Sequence, residues 1–396
     1  MKKLQSNDSM LIGIDGNEAN QKIRVGSGVY AFELLQQFKK INSSSSKIKF
    51  KIYLKDKPLD DLPIESENWQ YKIVGPKKLW TQVGLPFKLW QEKLTGTIPD
   101  IFYSPNHYAP RFSPIPTVIT IFDLSFIHFP DLFVKRDLYQ LKNWTSYSVK
   151  RAKKIITISE FSKKEIVDYY KLPDDKVVVA YPGYDGDKYK ISNIKNKKYL
   201  ENIKNKYKID GEYILFVGTI QPRKNVARLI EAFTILDRKA IKREDRLKLV
   251  ICGMINEGRG GWMQEEFFQK IKELNLDKEV IITGYIPEEE IPYLMGGAKA
   301  FVLPSLYEGF GIPVLEAMAV GIPVVVSRIS SLPEVCGKAA IYIEDPKSSE
   351  SIYLALNKAL ELSGKERENL VKLGLIQAQR FSWQKTAEKI LDNLID

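Results

Sequence analysis

Two series of short apolar segments alternate with longer helix-like segments, and this alternation restricts the fold more than any other feature of the chain. In the first half the strand-like segments are MLIGIDG, KFKIYLK, YKIVGP, IFYSP, TVITIFD, KIITIS and KVVVAYPG, and in the second half they are YILFVG, KLVICG, VIITGY, KAFVLP and PVVVS. Helix-like segments such as GVYAFELLQQFKKI and NVARLIEAFTIL separate several of them. Strands that alternate with helices are typical of right-handed parallel crossovers and of sheets covered on both faces. The pattern therefore predicts an α/β chain with two doubly wound parallel sheets.

The two series meet in residues 184–210, a lysine- and asparagine-rich stretch with little apolar surface to bury. We therefore predict a first domain over 1–185, a second domain over 186–380, and a C-terminal helix over 381–396 that packs back on the first domain. A length of 396 residues fits two hydrophobic cores better than one. Because ligands of open α/β sheets bind beyond the carboxyl ends of the strands, we expect a site between the domains, built from residues that directly follow strands.

Charge and cysteine usage limit the partners. Lysine and arginine exceed aspartate and glutamate by 11 charges, which favours anionic partners such as nucleotides, phospholipid headgroups or nucleic acid, with a lysine-rich solvated surface as the alternative. Nucleic acid is the least supported of these partners, because the sequence has no single basic helix and no aromatic RNA-binding signature. No apolar run approaches the roughly 20 residues of a membrane-spanning helix, and the polar N-terminus lacks a cleavage-like site, so we expect a cytoplasmic protein.

Cys252 and Cys336 are interpreted as free thiols, with a disulfide as the alternative. Two cysteines and two histidines provide no zinc-ligand spacing, and we expect no metal site.

The segment SLYEGFGIPVLEAM places two glutamates where a strand gives way to a helix. Glu308 lies in the loop, Pro313 suits the first helical turn, and Glu316 lies in the opening turns. The amides of Gly309, Phe310 and Gly311 stand at a helix N-terminus, which attracts anions. A carboxylate repels phosphate but accepts hydrogen bonds from hydroxyls, so the arrangement predicts a nucleotide attached to a sugar. The alternative is a helix-dipole acid at Glu316 and a solvated loop acid at Glu308.

A second strand–loop–helix segment, FVGTIQPRKNVARLIEAF, ends its loop with two cations, Arg223 and Lys224. The N-terminus of a helix carries partial positive charge, so cations are not favoured there. A phosphate bound between the helix N-terminus and the two cations would be stabilised by both. A solvated basic turn is the alternative.

Together, GTIQPRKN, PSLYEGFGIPVLEAMAVGIPVV and FSWQKTAEKIL resemble the retaining glycosyltransferases of family 4. The resemblance covers essentially the whole chain, is most specific over 213–345, and implies the GT-B fold, with two Rossmann-like parallel-sheet domains facing across a cleft. It implies that Glu316 binds the nucleotide ribose and that Glu308 lies against the donor sugar. It also implies that Arg223 and Lys224 hold the diphosphate, and that the amides of 309–311 face the sugar and diphosphate.

The first half of the chain is similar to the acceptor domain of this family. RVGSGVYAFELL matches its glycine loop, so Gly26 and Gly28 are expected to approach the diphosphate without a Cβ in the way. SPNHYAP and TIFDLSFIHFP resemble the segments on the acceptor side, and the residues carried over from them are Asn106, His107, Asp123 and His128. The family commonly has histidine where this chain has Phe122. Asp123, which ends a strand, is therefore the preferred catalytic candidate of the first half, beside Glu308, Arg223 and Lys224 in the second.

The resemblance implies transfer of a hexosyl unit from a nucleotide diphosphate sugar to a saccharide or lipid-linked saccharide acceptor in polysaccharide biosynthesis. It implies retention of the anomeric configuration, with the departing phosphate taking the acceptor proton, and no metal or other cofactor. Within the family, GTIQPRKN and SPNHYAP look most like the corresponding segments of mannosyltransferases of bacterial surface polysaccharide assembly, and this likeness implies GDP-mannose as the donor. The alternatives are a UDP-hexose donor, a sugar-nucleotide epimerase of the same fold, and a non-catalytic partner protein.

Three further motifs have competing interpretations. GSGVYA fits the glycine fingerprint of a nicotinamide dehydrogenase. Its glycines do not directly follow a strand, however, and Asp56, the one candidate for the acid that binds the ribose, lies further along the chain than this fingerprint requires. The DGD of 185–187 is interpreted as a turn, with a metal motif as the alternative. Residues 77–94, KKLWTQVGLPFKLWQEKL, mix lysines with Trp80, Phe87 and Trp90. They are predicted to pack in a core, with peripheral contact to an anionic membrane at its inner face as the alternative.

Overall fold

The computed structural model of the chain describes residues 9–43, 47–190, 196–239, 247–253, 268–269 and 271–395. These residues form two compact units, each built on its own parallel β-sheet. The first unit comprises the described residues within Met1–His128, Lys135–Gly183 and Trp383–Asp396. The second comprises Phe129–Val134 and the described residues within Tyr184–Ser382. Two parallel sheets with flanking helices confirm the predicted α/β fold class.

A parallel sheet with strand order β3-β2-β1-β4-β5-β6-β7 forms the centre of the first unit. Its strands are β1 (Met10–Asp15), β2 (Ile48–Leu54), β3 (Trp69–Ile73), β4 (Ile101–Ser104), β5 (Thr117–Thr120), β6 (Lys154–Thr157) and β7 (Val177–Val179). The helices of this unit are α1 (Ser27–Ser43), α2 (Leu85–Leu94), α3 (Ser125–His128), α4 (Lys135–Arg151), α5 (Glu160–Tyr170) and α13 (Trp383–Ile395). All seven strands overlap the strand-like segments of the sequence, although β2 and β3 begin one and two residues before theirs.

Aromatic side chains pack the first sheet against its helices. The ring of Phe38 in α1 stacks on Phe50 in β2 with centroids 5.7 Å apart, and Phe50 contacts Trp69 in β3 at 5.1 Å. At the other end of the chain, Trp383 meets Tyr30 edge-on at 5.7 Å. This contact attaches α13 to α1, so the C-terminal helix belongs to the same unit as the start of the chain.

The second unit is centred on a parallel sheet with strand order β10-β9-β8-β11-β12-β13. Its strands are β8 (Tyr213–Val217), β9 (Lys248–Cys252), β10 (Val280–Gly284), β11 (Ala300–Leu303), β12 (Val324–Ser327) and β13 (Ile341–Ile343). Its helices include α6 (Lys197–Lys206), α7 (Val226–Lys239), α8 (Ile291–Gly297), α9 (Ile312–Val320), α10 (Leu332–Cys336), α11 (Ser349–Leu360) and α12 (Gly364–Ala378). The sequence predicts five of these strands, and β13 is the one it does not.

The strand order of both sheets reverses beside the first strand, between β1 and β4 in one and between β8 and β11 in the other. Ligands of such sheets bind at this switch point, outside the carboxyl ends of the strands. The loops after β8 and β11 carry Arg223, Lys224 and Glu308, and the loops after β1 and β4 carry Gly26 and Asn106. These five residues therefore lie at the switch point of their unit, whereas the candidates Asp123 and His128 follow β5.

The prediction that Trp80, Phe87 and Trp90 pack in a core is confirmed for Trp80 and wrong for Phe87 and Trp90. Trp80 lies in a π-helical turn, Trp80–Gly84, that leads directly into α2. Its ring is buried among Leu85, Leu89 and neighbouring apolar residues, and its indole N–H donates to the carbonyl of Val74 at 3.0 Å. Phe87 and Trp90 are exposed. Helical geometry separates them because Trp80 shares the core-facing side of this segment with Leu85 and Leu89.

Two further expectations concern cysteines and membranes. Cys252 and Cys336 are both buried and free, so the alternative of a disulfide between them is wrong. Among the helices in the described ranges, none combines the length and the apolar character that a bilayer crossing requires.

Candidate functional site

The loop after β8 is shaped by a left-handed residue. After β8 the chain makes a 3₁₀ turn, Pro222–Lys224, and then adopts a φ of 61° at Asn225 before α7 begins. Asparagine tolerates this conformation better than most residues. The buried Asn225 amide nitrogen donates to the carbonyls of Pro304 at 3.0 Å and Pro346 at 2.6 Å. These bonds attach the basic loop to the segments that follow β11 and β13.

Arg223, Lys224 and Glu308 form one ion cluster. Lys224 Nζ lies 2.6 Å from Glu308 Oε1, and Arg223 Nη1 lies 3.3 Å from Oε2 of the same carboxylate. The Ser305 hydroxyl donates to Glu308 Oε1 at 2.6 Å, and Arg223 Nη1 also donates to the carbonyl of Tyr307 at 3.2 Å. Glu308 is only 4% exposed. The sequence predicts all three charged residues at this site but does not predict that they pair with one another.

The charge state of this cluster follows from its contacts. Burial raises the pKa of the Glu308 carboxyl, but the charges of Lys224 and Arg223 outweigh burial and leave that pKa below its ordinary value. Glu308 is therefore ionised at neutral pH. Two cations share one carboxylate, so the cluster carries one excess positive charge beside the N-terminus of α9. Both features favour an anionic ligand.

The loop between Glu308 and α9 depends on glycine. Gly311 has a φ of 101° and stands at the N-cap of α9. A Cβ at this position would lie 3.0 Å from Leu332 Cδ2, so a side chain would be strained and crowded. The buried hydroxyl of Ser331 lies within hydrogen-bond distance of two backbone carbonyl oxygens of this loop, 2.9 Å from that of Glu308 and 3.2 Å from that of Phe310. Hydrogen bonding to these carbonyls stabilises the loop.

The aromatic ring of Phe310 packs inside the second unit. Phe310 is buried, and its ring meets Phe381 edge-on with centroids 5.5 Å apart. Phe310 can therefore contribute its backbone amide to a ligand but not its ring.

Glu316 lies in a different electrostatic environment from Glu308. Its half-buried carboxyl is hydrogen-bonded to the hydroxyl of Tyr189, which burial keeps protonated. Burial raises the pKa of Glu316 to about 7; Tyr189 and Lys188 oppose the rise, whereas Glu288 and Asp185 add to it. Lys188 is itself paired with Glu288 at 3.0 Å. One glutamate is therefore held ionised by cations, while the other changes its protonation state near neutral pH.

Asp185 and Asp187 belong to a turn. The Asp185 carboxylate accepts hydrogen bonds from the backbone amides of Asp187 at 3.1 Å and Lys188 at 3.0 Å. Side-chain acceptance of this kind is typical of an Asx-turn. In the part of the chain that the structure describes, no group of three or more His, Cys, Asp or Glu side chains is placed to hold a metal ion.

The glycines of the first unit stand where α1 begins. Gly26 has a φ of 50°, and no heavy atom lies within 4 Å of the position that a Cβ would take. At Gly28 a Cβ would lie 3.2 Å from the carbonyl oxygen of Glu18. Gly26 is therefore required for backbone conformation and Gly28 for close packing. Their approach to a diphosphate stays a prediction.

Asn106 reveals an acid that the sequence reasoning overlooked. Its amide nitrogen lies 3.4 Å from Oδ2 of Asp15, and Oδ1 of Asp15 accepts from Asn17 Nδ2 at 2.6 Å. Burial raises the pKa of Asp15 to about 6, although two hydrogen bonds from Asn17 oppose the rise. Asp15 is the last residue of β1, and Asp123 likewise lies just beyond the end of β5. The rule that site residues follow strands therefore predicts Asp15 as well as Asp123.

His107 is buried next to Phe122. Its Nε2 accepts a hydrogen bond from the backbone amide of Phe122 at 3.4 Å, and its ring centroid lies 5.9 Å from that of Phe122. Burial lowers the pKa of His107 to about 4, against the opposing charge of Asp123. His107 is therefore neutral. Its buried Nδ1 has no hydrogen-bond partner among the described residues.

Asp123 and His128 border the short helix α3. The Asp123 carboxylate accepts from the backbone amide of Ser125 at 2.9 Å, at the start of that helix. His128 ends the helix, and its Nε2 lies 2.6 Å from Glu165 Oε1 in α5. The acceptor-side roles expected for these residues stay predictions.

Two protein-family models match the chain. The model described as "Glycosyl transferases group 1" matches residues 200–375, which include the ion cluster and Glu316. The model described as "Glycosyltransferase Family 4" matches residues 62–188.

Several characterised proteins are similar in sequence. "O-antigen chain mannosyltransferase B" of Escherichia coli is 33% identical over 285 residues, which are 72% of this chain and 71% of that protein. "Serotype-specific mannosyltransferase WbdA" of Escherichia coli is 31% identical over 61% of this chain, but the match spans only 28% of that protein. "O-antigen chain mannosyltransferase RfbU" of Salmonella typhimurium is 29% identical over 59% of this chain and 58% of its own length.

Solved structures of glycosyltransferases share the fold. Anabaena HepE in complex with UDP-glucose has a TM-score of 0.72 at 18% identity, over 98% of this chain and 99% of that one. WaaG, a glycosyltransferase involved in lipopolysaccharide biosynthesis, has a TM-score of 0.70 at 18% identity, over 97% of this chain and 99% of that one. At such identities the likeness establishes the fold alone.

Proposed function

The chain belongs to glycosyltransferase family 4, and from that membership we propose that it transfers a mannosyl unit from GDP-mannose to a saccharide or lipid-linked saccharide acceptor in polysaccharide biosynthesis. A bond forms between an acceptor hydroxyl oxygen and C1 of the sugar, and the bond between C1 and the β-phosphate oxygen breaks. GDP leaves and takes the acceptor proton on the same face, so the anomeric configuration is retained. The reaction requires neither a protein nucleophile nor a metal ion.

The ion cluster of the second unit is the observation that carries this proposal. Arg223 and Lys224 lie at the carboxyl ends of the strands, where a nucleotide binds in open α/β sheets. Their excess positive charge matches the charge that develops on a departing diphosphate, and such electrostatic stabilisation is a major source of catalysis. The pairing of both cations with Glu308 adds a role for that glutamate. It positions the two cations before the donor arrives, in addition to orienting the donor sugar.

Glu316 suits the ribose of the donor. Its ionised form accepts hydrogen bonds only, and a ribose offers two hydroxyl donors. The Tyr189 hydroxyl that now bonds to Glu316 would be exchanged for these hydroxyls, or would share the carboxylate with them. Because ribose hydroxyls do not change during transfer, this contact contributes uniform binding and not catalysis.

The identity of the sugar is supported by the relatives and not by the site. The three relatives described above are mannosyltransferases, and the first of them is 33% identical to this chain. The similar fold of HepE, solved with UDP-glucose, favours a UDP-hexose as the second candidate donor.

Thermal denaturation in the presence of GDP, UDP, ADP or dTDP separates these donors. A ligand that binds only the folded state stabilises it by about 2.7 kcal/mol at a hundredfold excess over its dissociation constant. We expect GDP to raise the melting temperature most, and Lys224→Ala to reduce that rise. A larger rise with UDP would assign the donor to the UDP-hexoses. No rise with any of the four would contradict the proposed function, and epimer formation without an acceptor would favour the epimerase.

A further inference from the structure

An exposed apolar stripe runs along the segment formed by the π-helical turn and α2. It consists of Val83, Phe87, Trp90 and Leu94, which are separated by four, three and four residues. This spacing places the four side chains on one face of a helix. Leu94 is 86% exposed and Phe87 is 72% exposed, whereas Leu85 and Leu89 on the opposite face are buried. The segment therefore presents apolar residues to the core and to the surface at once, and contiguous exposed apolar surface marks an interaction site.

The surface charge beside this stripe is positive. Residues 77–94 contain four lysines and a single acid, Glu92. Glu92 lies on the buried face, where it pairs with Lys51 at 3.3 Å and accepts a hydrogen bond from the Tyr53 hydroxyl. The ammonium group of Lys93 lies 4.9 Å from the ring centroid of Trp90. Lysines with apolar stems next to an aromatic ring are suited to a boundary between an apolar phase and water.

A second cationic element adjoins the stripe. Phe112 is exposed, and its carbonyl accepts a hydrogen bond from the Trp90 indole at 3.0 Å. The Arg111 guanidinium lies 5.5 Å from the Phe112 ring and borders a cavity of about 290 Å³. Gln82, next to Val83 of the stripe, lines the same cavity with Tyr139, Asn143, Trp144 and Tyr147. The cavity offers one cation and several polar side chains next to apolar surface.

We propose that this face, made of the stripe together with Lys88, Lys93, Arg111 and Phe112, docks on an anionic lipid bilayer. The apolar side chains enter the interfacial region, where tryptophan is favoured. The lysines and Arg111 contact headgroup phosphates, and the Arg111 cavity takes one of them. Charge complementarity selects this occupant, because the exposed charged side chains of 77–94 are all lysines, of which Lys88 also lies 3.8 Å from the buried Glu92 and Lys77 pairs with Asp56. Basic apolar helices of this kind bind anionic membrane surfaces. The inference does not depend on the donor or the acceptor, since docking is measured without turnover.

Flotation of the full chain with lipid vesicles tests the proposal. We expect binding to vesicles of phosphatidylcholine mixed with phosphatidylglycerol, little binding to phosphatidylcholine alone, and weaker binding as salt screens the charges. Phe87→Ser combined with Trp90→Ser should weaken binding to anionic vesicles about tenfold or more, because both side chains lose their burial in the interface. Lys93→Ala and Arg111→Ala should each weaken it about fivefold.

Ile64→Ser is the matched control, because Ile64 is 83% exposed in the same unit but lies outside the stripe. It should leave binding unchanged. Trp90→Phe should retain binding but reduce the quenching of tryptophan fluorescence by brominated lipids. The proposal is overturned if the wild-type chain does not float with anionic vesicles at low salt, if Phe87→Ser with Trp90→Ser floats like the wild type, or if Ile64→Ser weakens binding equally.

Discussion

Replacing Glu308 by glutamine removes the one negative charge of the ion cluster and keeps the size of the side chain. In the wild type this carboxylate contacts Lys224 Nζ at 2.6 Å, Arg223 Nη1 at 3.3 Å and the Ser305 hydroxyl at 2.6 Å. The amide can bond to some of these groups but cannot neutralise two cations. We therefore expect Glu308→Gln to destabilise the ligand-free protein, to slow turnover, and to leave the affinity for GDP unchanged or higher.

The size of the destabilisation follows from burial. Removing one partner of a buried ion pair costs about 3–5 kcal/mol, because the remaining charge is left uncompensated. The side chains of Arg223 and Lys224 keep 20% and 12% of their exposure, so water solvates them in part. We therefore expect Glu308→Gln to lower the free energy of unfolding by about 3 kcal/mol, the lower end of this range. For a chain unit of this size that loss corresponds to a fall in melting temperature of about 6–12 °C. A bound diphosphate replaces the lost negative charge, so GDP should stabilise the variant more than the wild type.

Thermal denaturation with and without GDP, calorimetry with GDP, and steady-state kinetics measure these effects. Glu344→Gln is the matched control, because Glu344 pairs with Arg328 at 2.7 Å in the same unit but on the exposed surface. An exposed ion pair contributes little, so this control should keep its melting temperature and its turnover. The reasoning is refuted if Glu308→Gln melts like the wild type, or if it weakens GDP binding more than tenfold, which would make Glu308 a nucleotide ligand.

Three other outcomes are expected. Arg223→Ala should weaken GDP binding by about 1.5–3 kcal/mol, the scale of a charged hydrogen bond, and an unchanged dissociation constant in calorimetry would remove Arg223 from the site. Glu316 has a pKa raised from 4.5 to about 7, so the stability that its bound proton provides should be present below pH 4.5 and lost as pH rises through about 7. Glu316→Gln should abolish this part of the pH dependence of the melting temperature and raise the Michaelis constant for the donor with little change in turnover. Transfer should persist in excess chelator, and a loss of activity that magnesium or manganese restores would reopen the metal interpretation of Asp185 and Asp187.

Much of the fold is predictable because central strands such as β4, β5, β11 and β12 are buried along their whole length and are mostly apolar. Strand β13 (Ile341–Ile343) was not predicted, because it is only three residues long and is followed at once by Glu344 and Asp345. The predicted core packing of Phe87 and Trp90 is wrong for another reason. Composition alone does not say which side of a helix faces the core, and the spacing to Leu85 and Leu89 carries that information.

The site was predictable as a set of residue types and not as a set of contacts. The rule that ligands bind beyond strand ends, with the family resemblance, points to Arg223, Lys224, Glu308 and Glu316. Pairing between Lys224 and Glu308 joins residues 84 positions apart, and no local pattern reports such a contact. The hydrogen bond from the Tyr189 hydroxyl to Glu316 is not predictable from the sequence for the same reason. Asp15 was overlooked although it ends β1, because the family motifs do not draw attention to it.

Transfer from isotopically labelled GDP-mannose to a panel of oligomannosides and lipid-linked saccharides tests the central claim most directly. We expect a product extended by mannose, with the anomeric configuration of the donor by nuclear magnetic resonance, and one GDP released for each mannose transferred. Lys224→Ala should lower the turnover of this reaction, because it removes a cation that stabilises the leaving diphosphate. An inverted product would contradict the retaining reaction, and turnover unaffected by Lys224→Ala in the folded variant would remove Lys224 from the stabilisation of the leaving diphosphate.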